Sequence, residues 1–248
     1  MAPGRLRLDA ALVRRGLARS RGQARDLIAA GRVRVNGAQA AKASLPVTDA
    51  DLLEADADPY VSRAAHKLVG ALEASGVRPH GRALDAGAST GGFTQVLLER
   101  GCEHVYAVDV GTGQLVDALR RDPRVTARDH LNLRDLTLAD VGGRPVDLIV
   151  GDVSFISLTL LLEPMLGVLR DDGVALLLVK PQFEVGRRGL DSHGVVTDPT
   201  LRDRAVDAVV DAARPLGWTC VWRGRSTLPG GEGNVEFFVE LKRTAGNA

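Results

Sequence analysis

The chain has 248 residues, 45% hydrophobic and 25% charged, enough to bury a substantial core and too apolar for a disordered or fibrous protein. Its net charge of +1 hides a division: residues 1–42 carry ten basic side chains against two acids, a net of +8, leaving −7 for the remainder. Cys102 and Cys220 lie far apart with no zinc-ligand spacing, and no uncharged run approaches the roughly 20 residues of a membrane span, which excludes a disulfide scaffold, a zinc module and a spanning protein. The arginine-bearing start is not followed by a secretory hydrophobic region, so a cytoplasmic protein without metal is expected.

The basic head predicts two short helices, over 8–15 and 20–30, and a hairpin over 33–37. Ser20 is placed as an N-cap, Gly31 as a stop, and Asn36-Gly37 as a two-residue hairpin turn. Ala24, Leu27 and Ile28 share one face of the second helix, leaving Arg21, Gln23 and Arg25 to solvent or to phosphate. A compact basic head on an acidic body suits polyanion binding, because arginines that neutralise phosphates release counterions; the plainer reading is a solvated helix face. Arg5-Leu6-Arg7-Leu8-Asp9, the segment 20–28 and Val33-Arg34-Val35-Asn36-Gly37 resemble an S4 RNA-binding domain. That resemblance implies structured RNA as partner, with Arg5, Arg7, Arg19, Arg21, Arg25 and Lys42 as candidate contacts and Arg63 as a further one near the domain junction.

Residues 43–61 turn acidic and irregular, reading as the end of a small domain (1–58) and a linker (59–63) before a larger domain over 64–248. Ser62 is placed to cap a helix carrying Arg63, His66, Lys67 and Leu68 that ends near Gly76. Strands are then predicted at 83–85, 105–110, 125–127, 146–150, 174–179, 219–222 and 236–241, and helices at 93–100, 113–120, 156–169 and 201–216. This alternation predicts an α/β fold, a mostly parallel sheet covered on both faces. The closing pair around Gly230, Gly231 and Gly233 resembles the antiparallel edge of a Rossmann-like methyltransferase sheet.

After the first strand comes the turn Asp85-Ala86-Gly87-Ala88-Ser89-Thr90-Gly91-Gly92-Phe93. Its glycines let backbone approach a nucleotide, and Asp109, with Val110 beside it, stands where an acid binds ribose hydroxyls. Such a turn alone serves NAD or flavin equally. Asp85 would repel a pyrophosphate but suits the ammonium and sulfonium of S-adenosylmethionine, and the spacing departs from G-x-G-x-x-G. Asp129 and His130 follow the third strand, at the place where methyltransferases contact adenine; a turn cap is the alternative for Asp129.

Lys180 follows the apolar run 174–179 and Asp152 follows 146–150, so both sit at carboxyl ends of buried strands, where ligands bind in such sheets. Methyl transfer from a sulfonium needs a hydroxyl aligned and its proton managed. A lysine ammonium is a poor base at neutral pH; a second cation nearby and partial desolvation lower its pKa, whereas an acid raises it and fixes its orientation. Lys180 is the expected proton acceptor or hydroxyl positioner, Asp152 its orienting partner near the sulfonium, and Lys67 with Glu236 a supporting pair. Taken singly, Lys67 and Glu236 read as surface residues. Phe155 and Phe183 flank this group, and Phe155 is a candidate to stack on a flipped base.

The order Lys67, Asp152, Lys180, Glu236 resembles the tetrad of FtsJ-like ribose 2′-O-methyltransferases. With Ser62-Arg63-Ala64-Ala65-His66-Lys67-Leu68, Asp152-Val153-Ser154-Phe155-Ile156-Ser157 and Lys180-Pro181-Gln182-Phe183-Glu184-Val185-Gly186, the whole resembles the TlyA family of bacterial rRNA cytidine-2′-O-methyltransferases, also labelled haemolysin A. The resemblance implies S-adenosylmethionine as cofactor, 23S rRNA of the 50S subunit as substrate, in some members 16S rRNA of the 30S subunit as well, and a link to capreomycin sensitivity. Two departures stand out. Asp58-Pro59-Tyr60-Val61 occupies the place of an Arg-x-Trp-Val linker in mycobacterial members, and the chain stops soon after Leu241 without the extra tail of members that modify both subunits. The rival readings are a membrane-active haemolysin and a catalytically inactive RNA-binding protein.

Overall fold

The computed structural model describes residues 5–18, 20–56 and 58–244. The chain divides into two compact units, Met1–Pro59 and Tyr60–Ala248.

In the first unit, strand β1 (Leu6–Arg7) runs into helix α1 (Leu8–Arg14), followed by α2 (Arg21–Ala29), β2 (Val33–Val35), β3 (Ala38–Gln39), β4 (Pro46–Val47) and β5 (Leu53–Ala55). Ser20 Oγ accepts from Gln23 N at 3.2 Å and starts α2. Asn36 (φ 51) and Gly37 (φ 80) are both left-handed, as a tight hairpin with the strands' own twist requires. The acidic segment is more regular than expected. Strand β4 pairs with β1 and β5 with β2, because Val47 and Leu53 turn into the same core as Leu8, Leu12, Leu27, Ile28 and Val33. The outward acids then meet the basic head: Arg14 pairs with Asp49, Arg32 Nε lies 3.3 Å from Asp56 Oδ2, and Asn36 Nδ2 donates to Asp51 Oδ1 at 2.8 Å. Arg15 donates to Asp51 O at 2.6 Å and Thr48 O at 2.7 Å.

The second unit is built from α3 (Ala64–Ser75), β6 (Arg82–Ala86), α4 (Gly92–Glu99), β7 (His104–Val108), α5 (Asp117–Arg120), β8 (Val125–Arg128), β9 (Val146–Gly151), α6 (Leu162–Leu166), β10 (Leu169–Val179), α7 (Pro181–Glu184), α8 (Pro199–Ala213), β11 (Trp218–Arg225) and β12 (Phe237–Arg243). Its seven-stranded sheet has the order β11-β12-β10-β9-β6-β7-β8. Strand β12 runs antiparallel to both β10 and β11, and the remaining pairings are parallel.

Strand alternation splits the core into two layers. Ala175, Leu177 and Val179 of β10 face the layer holding Met165 of α6 and Val206 and Val209 of α8. Leu176 and Leu178 face the layer of Leu68 and Leu72 from α3 and Val96 and Leu97 from α4.

Three expectations are corrected. The helix expected over 113–120 shrinks to α5, since Gly113 (φ 62) holds a left-handed turn that a helix cannot include. The helix expected over 156–169 becomes a 3-10 turn at Leu158–Leu160 and the short α6, whose Pro164 is tolerated in a first turn only, and Leu169 already belongs to β10. Within 59–63, taken as a linker, Tyr60 and Val61 pack on the layer beneath α3, and Val61 N donates to Gln95 Oε1 at 2.8 Å.

Candidate functional site

The period-two alternation that buries Leu148 and Val150 of β9, and Leu176 and Leu178 of β10, on the α3 side of the sheet carries on to Asp152 and Lys180 beyond the strand ends. Glu236 stands in the same phase as Phe238 of β12, which packs in that layer. Helix α3 crosses this face and supplies Lys67. Four residues far apart in sequence therefore share one side of one end of the sheet.

They form two ion pairs. Lys180 Nζ lies 2.6 Å from Asp152 Oδ1 and donates to Ser154 Oγ at 2.7 Å. The Asp152 contact is an ion pair by distance but lies off the direction of a hydrogen bond, so Oδ1 keeps accepting capacity. Lys67 Nζ donates to Glu236 Oε2 at 2.5 Å, with side-chain exposures of only 7% and 2%. This second pair is buried, contrary to the surface reading each residue invites alone. A Cβ on Gly230 would fall 2.6 Å from Glu236 Oε1, so the β11–β12 connection closes directly over the pair.

A cavity of about 440 Å³ opens beside the glycine turn, lined by Gly87, Ser89, Asp109, Val110, Asn132 and Leu133 among others. A smaller chamber of about 200 Å³ shares Gly87, Ser89, Asp152 and Ser154 with it and adds Thr90, Gly92, Phe93, Ser62 and Lys180. Gly87 has φ 84, and a Cβ there would stand 2.9 Å from Asp152 O, so any other residue would push the turn away from the end of β9. Gly91 (φ 98) caps α4 at its N-terminus. Asp109 braces the turn, its Oδ2 accepting from Ser89 N at 2.8 Å and its Oδ1 from Gly111 N at 2.7 Å.

Asp85, expected beside the cofactor's charge, is fully buried and takes a 2.6 Å hydrogen bond from Thr94 Oγ1. Burial, reinforced by the neighbouring negative charges of Asp152 and Asp109, pushes its carboxyl up to about 7. An acid whose folded value is raised opposes folding as it ionises, so its contribution falls as pH rises from about 4 through about 7. Asp85→Asn, which can still accept from Thr94, is expected to gain stability over the wild type with rising pH. The gap should widen by about 3 kcal/mol between pH 5 and pH 8 in denaturant titrations. A gap independent of pH would contradict the assignment.

Asp129 and His130 sit apart from the role expected of them. Arg120 Nη2 binds both Asp129 oxygens, at 3.0 and 2.9 Å, and Gly113 N donates to Oδ2 at 3.1 Å, the arrangement of a turn cap. His130 (φ 60) pairs with Thr112 Oγ1 at 2.8 Å. The following residues, Leu131, Asn132 and Leu133, line the cavity instead. Ser154, Gln114, Asn132 and Ile156 were missed by sequence reasoning; Ser154 and Ile156 left a signal, two and four residues after Asp152 in the same motif.

Among the RNA-contact candidates, Arg7 and Arg21 converge on one acid. Arg7 Nε and Arg21 Nη2 each lie 3.1 Å from an oxygen of Asp9, which is buried in the core of the first unit. The hydrogen bond from Arg7 holds the Asp9 carboxyl down at about 2. Both guanidiniums remain about half exposed, at 51% and 59%. Arg5, Arg25 and Lys42 are exposed, Arg63 donates to Pro229 O, and Arg19 lies outside the described residues. Phe155 is 91% exposed with φ 65, its ring 5.4 Å from that of Phe183. No helix among the described residues is long and apolar enough to cross a membrane.

Comparison with known proteins agrees with this architecture. The FtsJ-like methyltransferase family model matches residues 60–243 and the S4 domain model residues 6–53. The chain is 54% identical to the 16S/23S rRNA (cytidine-2′-O)-methyltransferase TlyA of Mycobacterium tuberculosis, over 96% of this chain and 90% of that protein. It is 36% identical to Hemolysin A of Brachyspira hyodysenteriae, over 95% and 99% of the two chains. A solved structure from Streptococcus thermophilus, named for a hemolysin, superimposes with a TM-score of 0.75 at 36% identity, covering 98% of this chain and 90% of that one. The chain therefore belongs to the FtsJ-like methyltransferase family, among the TlyA proteins, and joins an S4 domain to the methyltransferase domain.

Proposed function

We propose that this enzyme uses S-adenosylmethionine to methylate the ribose 2′-hydroxyl of a cytidine in rRNA, in 23S rRNA of the 50S subunit, with 16S rRNA of the 30S subunit as the alternative or additional substrate that the methyl-transfer test below decides. The observation that carries the reading is Lys180 Nζ, held by Asp152 and Ser154 in a chamber that adjoins the glycine-turn cavity. The cavity lies within the usual range for a ligand of nucleoside size, about 300–1,000 Å³. The close approach at Gly87 leaves backbone, not side chain, facing it.

When bound, the cofactor supplies an electrophilic methyl group on a positive sulfur. Asp109 would take the ribose hydroxyls with the lone pairs its two backbone bonds leave over, and Leu131, Leu133 and Ile156 would wall the adenine. Asp152 would place negative charge near the sulfonium. Lys180 Nζ orients the substrate 2′-oxygen, and once its ammonium has given a proton to solvent the neutral amine takes the hydroxyl proton as that oxygen becomes nucleophilic, with Asp152 and Ser154 fixing the amine's position. Lys67 and Glu236 act from beneath, holding α3 and the β11–β12 connection in place. Phe155 offers an exposed ring on which a flipped base can stack.

The first unit would deliver the rRNA. Arg7 and Arg21, preset by Asp9, offer a fixed pair of phosphate donors. Arg7→Gln and Arg21→Gln are each expected to weaken binding to the ribosomal subunit and to reduce the slope of log affinity against log salt by about 1. Filter binding across a salt series measures both; unchanged slopes would remove these residues from the interface. Activity of this kind places the protein in the cytoplasm with the ribosome, and loss of it would lower sensitivity to capreomycin.

The decisive test is transfer of labelled methyl from S-adenosylmethionine to separately purified, unmodified 50S and 30S subunits, with Lys180→Ala as control. Label mapped to a cytidine ribose in RNA and lost in the variant is the expected result. No transfer to either subunit, with cofactor binding demonstrated, would overturn the proposal.

A further inference from the structure

The loop between β9 and the 3-10 turn at Leu158–Leu160 carries Asp152 and Ser154, which hold Lys180, and Phe155, which stands exposed in a left-handed conformation. A large aromatic residue does not adopt that backbone unless its surroundings impose it. Two contacts join the loop to α7, the helix that begins directly after Lys180. One is the Phe155–Phe183 ring contact, at 5.4 Å. The other is Glu184, the last residue of α7. Its Oε2 accepts from Ser157 Oγ at 2.5 Å, and its Oε1 accepts from Leu158 N at 2.8 Å. Ser157 Oγ in turn accepts from Thr159 N at 3.2 Å, so the same hydroxyl caps the 3-10 turn and meets the carboxylate.

We infer that Glu184 is a positioning residue for methyl transfer: by clamping Ser157 and Leu158 to α7 it presets residues 153–156, so that Ser154 stays on Lys180 and Phe155 stays raised for the substrate base. The clamp closes a short circuit. Lys180 and Glu184 are four residues apart on one side, Ser154 and Ser157 three apart on the other, and a hydrogen bond joins the two strands of the circuit at each end. With the Glu184 end open, the loop keeps the Ser154–Lys180 bond and the Phe155–Phe183 ring contact but loses its hydrogen-bonded tie to the end of α7. Nothing in this argument needs Glu184 to touch substrate or cofactor.

The inference rests on the proposed ribose methylation and is tested on the full chain, by single-turnover methyl transfer to unmodified 50S subunits. Glu184→Ala is expected to lower the rate at saturating subunit about tenfold or more, with little change in the subunit concentration giving half the maximal rate, since displacement of a positioned group by about 1 Å is costly to chemistry. Glu184→Gln can accept from Leu158 N and donate to Ser157 Oγ, and should recover the rate to within about threefold. Burial already pushes the Glu184 carboxyl above its ordinary value, so the neutral amide suits the site. Because the clamp acts through Ser154 and Phe155, adding Glu184→Ala to a chain already carrying Ser154→Ala and Phe155→Ala should slow the reaction by less than about twofold, the non-additivity expected of coupled residues. Activity of Glu184→Ala within twofold of wild type, equal losses for Gln and Ala, or a full further loss when Glu184→Ala is added to Ser154→Ala with Phe155→Ala would each overturn the inference while leaving the proposed function standing. A wild-type chain that transfers no methyl group would instead overturn the function, and the clamp's role with it.

Discussion

Lys180→Ala is expected to lower methyl transfer by about 10³-fold or more, because it removes in one step the group proposed to orient the 2′-oxygen and the group proposed to receive its proton. Cofactor binding should survive within a few-fold: Lys180 borders only the smaller chamber, while the larger cavity is walled by other residues. Lys180→Arg should be almost as inactive, since a guanidinium keeps its proton at any working pH and cannot serve as base. Asp152→Asn is expected to cost about 10²-fold, less than loss of the lysine, because Ser154 still holds Nζ at one point. Rates at saturating subunit, alongside cofactor binding by calorimetry, separate these effects. Retention of more than a tenth of wild-type rate by Lys180→Ala would sink the mechanism.

The Lys67–Glu236 pair should show a different signature, one of stability first. Glu236→Ala leaves a buried ammonium without its counter-charge and is expected to destabilise the second unit by about 3–5 kcal/mol, the usual cost of breaking a buried pair by removing one partner. Replacing both residues, as Lys67→Met with Glu236→Leu, removes the orphaned charge and should restore most of that stability, since an apolar pair of similar volume is often tolerated in such a place. Activity should not return with it. The doubly substituted chain is expected to remain at least about tenfold slower than wild type, because packing alone does not hold α3 against the β11–β12 connection in the register that frames the chamber. Denaturant unfolding and methyl transfer on the same three proteins decide the matter. A stable double variant with full activity would show that packing alone holds this register and would remove the pair from the reaction.

Much of this site was legible before any coordinates. The alternation that buries Leu176 and Leu178 also predicts the side of the sheet on which Lys180 falls, and an apolar run ending in lysine and proline marks a strand's carboxyl end. The turn at Gly87 was legible because only glycine tolerates both its φ and its approach to the next strand. In the first unit, Ser20 and Asn36-Gly37 act locally, through bonds and dihedrals that a few neighbouring residues decide.

What was misread depends on partners distant in the chain. The acidic stretch 43–61 looked irregular because its strands are two and three residues long, too short for a period to show, and they exist only as pairs with β1 and β2. Asp129, expected at the adenine or as a turn cap, pairs with Arg120 and accepts from Gly113 N, partners that residue type alone does not name. Asp85, expected beside the cofactor's charge, lies fully buried against Thr94, a partner nine residues on that the turn motif does not name. Sequence by itself determined the S4 and methyltransferase plan and the mostly parallel sheet, and singled out the four charged residues as candidates, since periodicity and turn chemistry are local. Tertiary structure alone decided which lysine meets which acid, that one pair is buried while the other borders a chamber, and that Glu184 grips the loop of Phe155, because pairing across the fold is set by packing between segments that no local pattern connects.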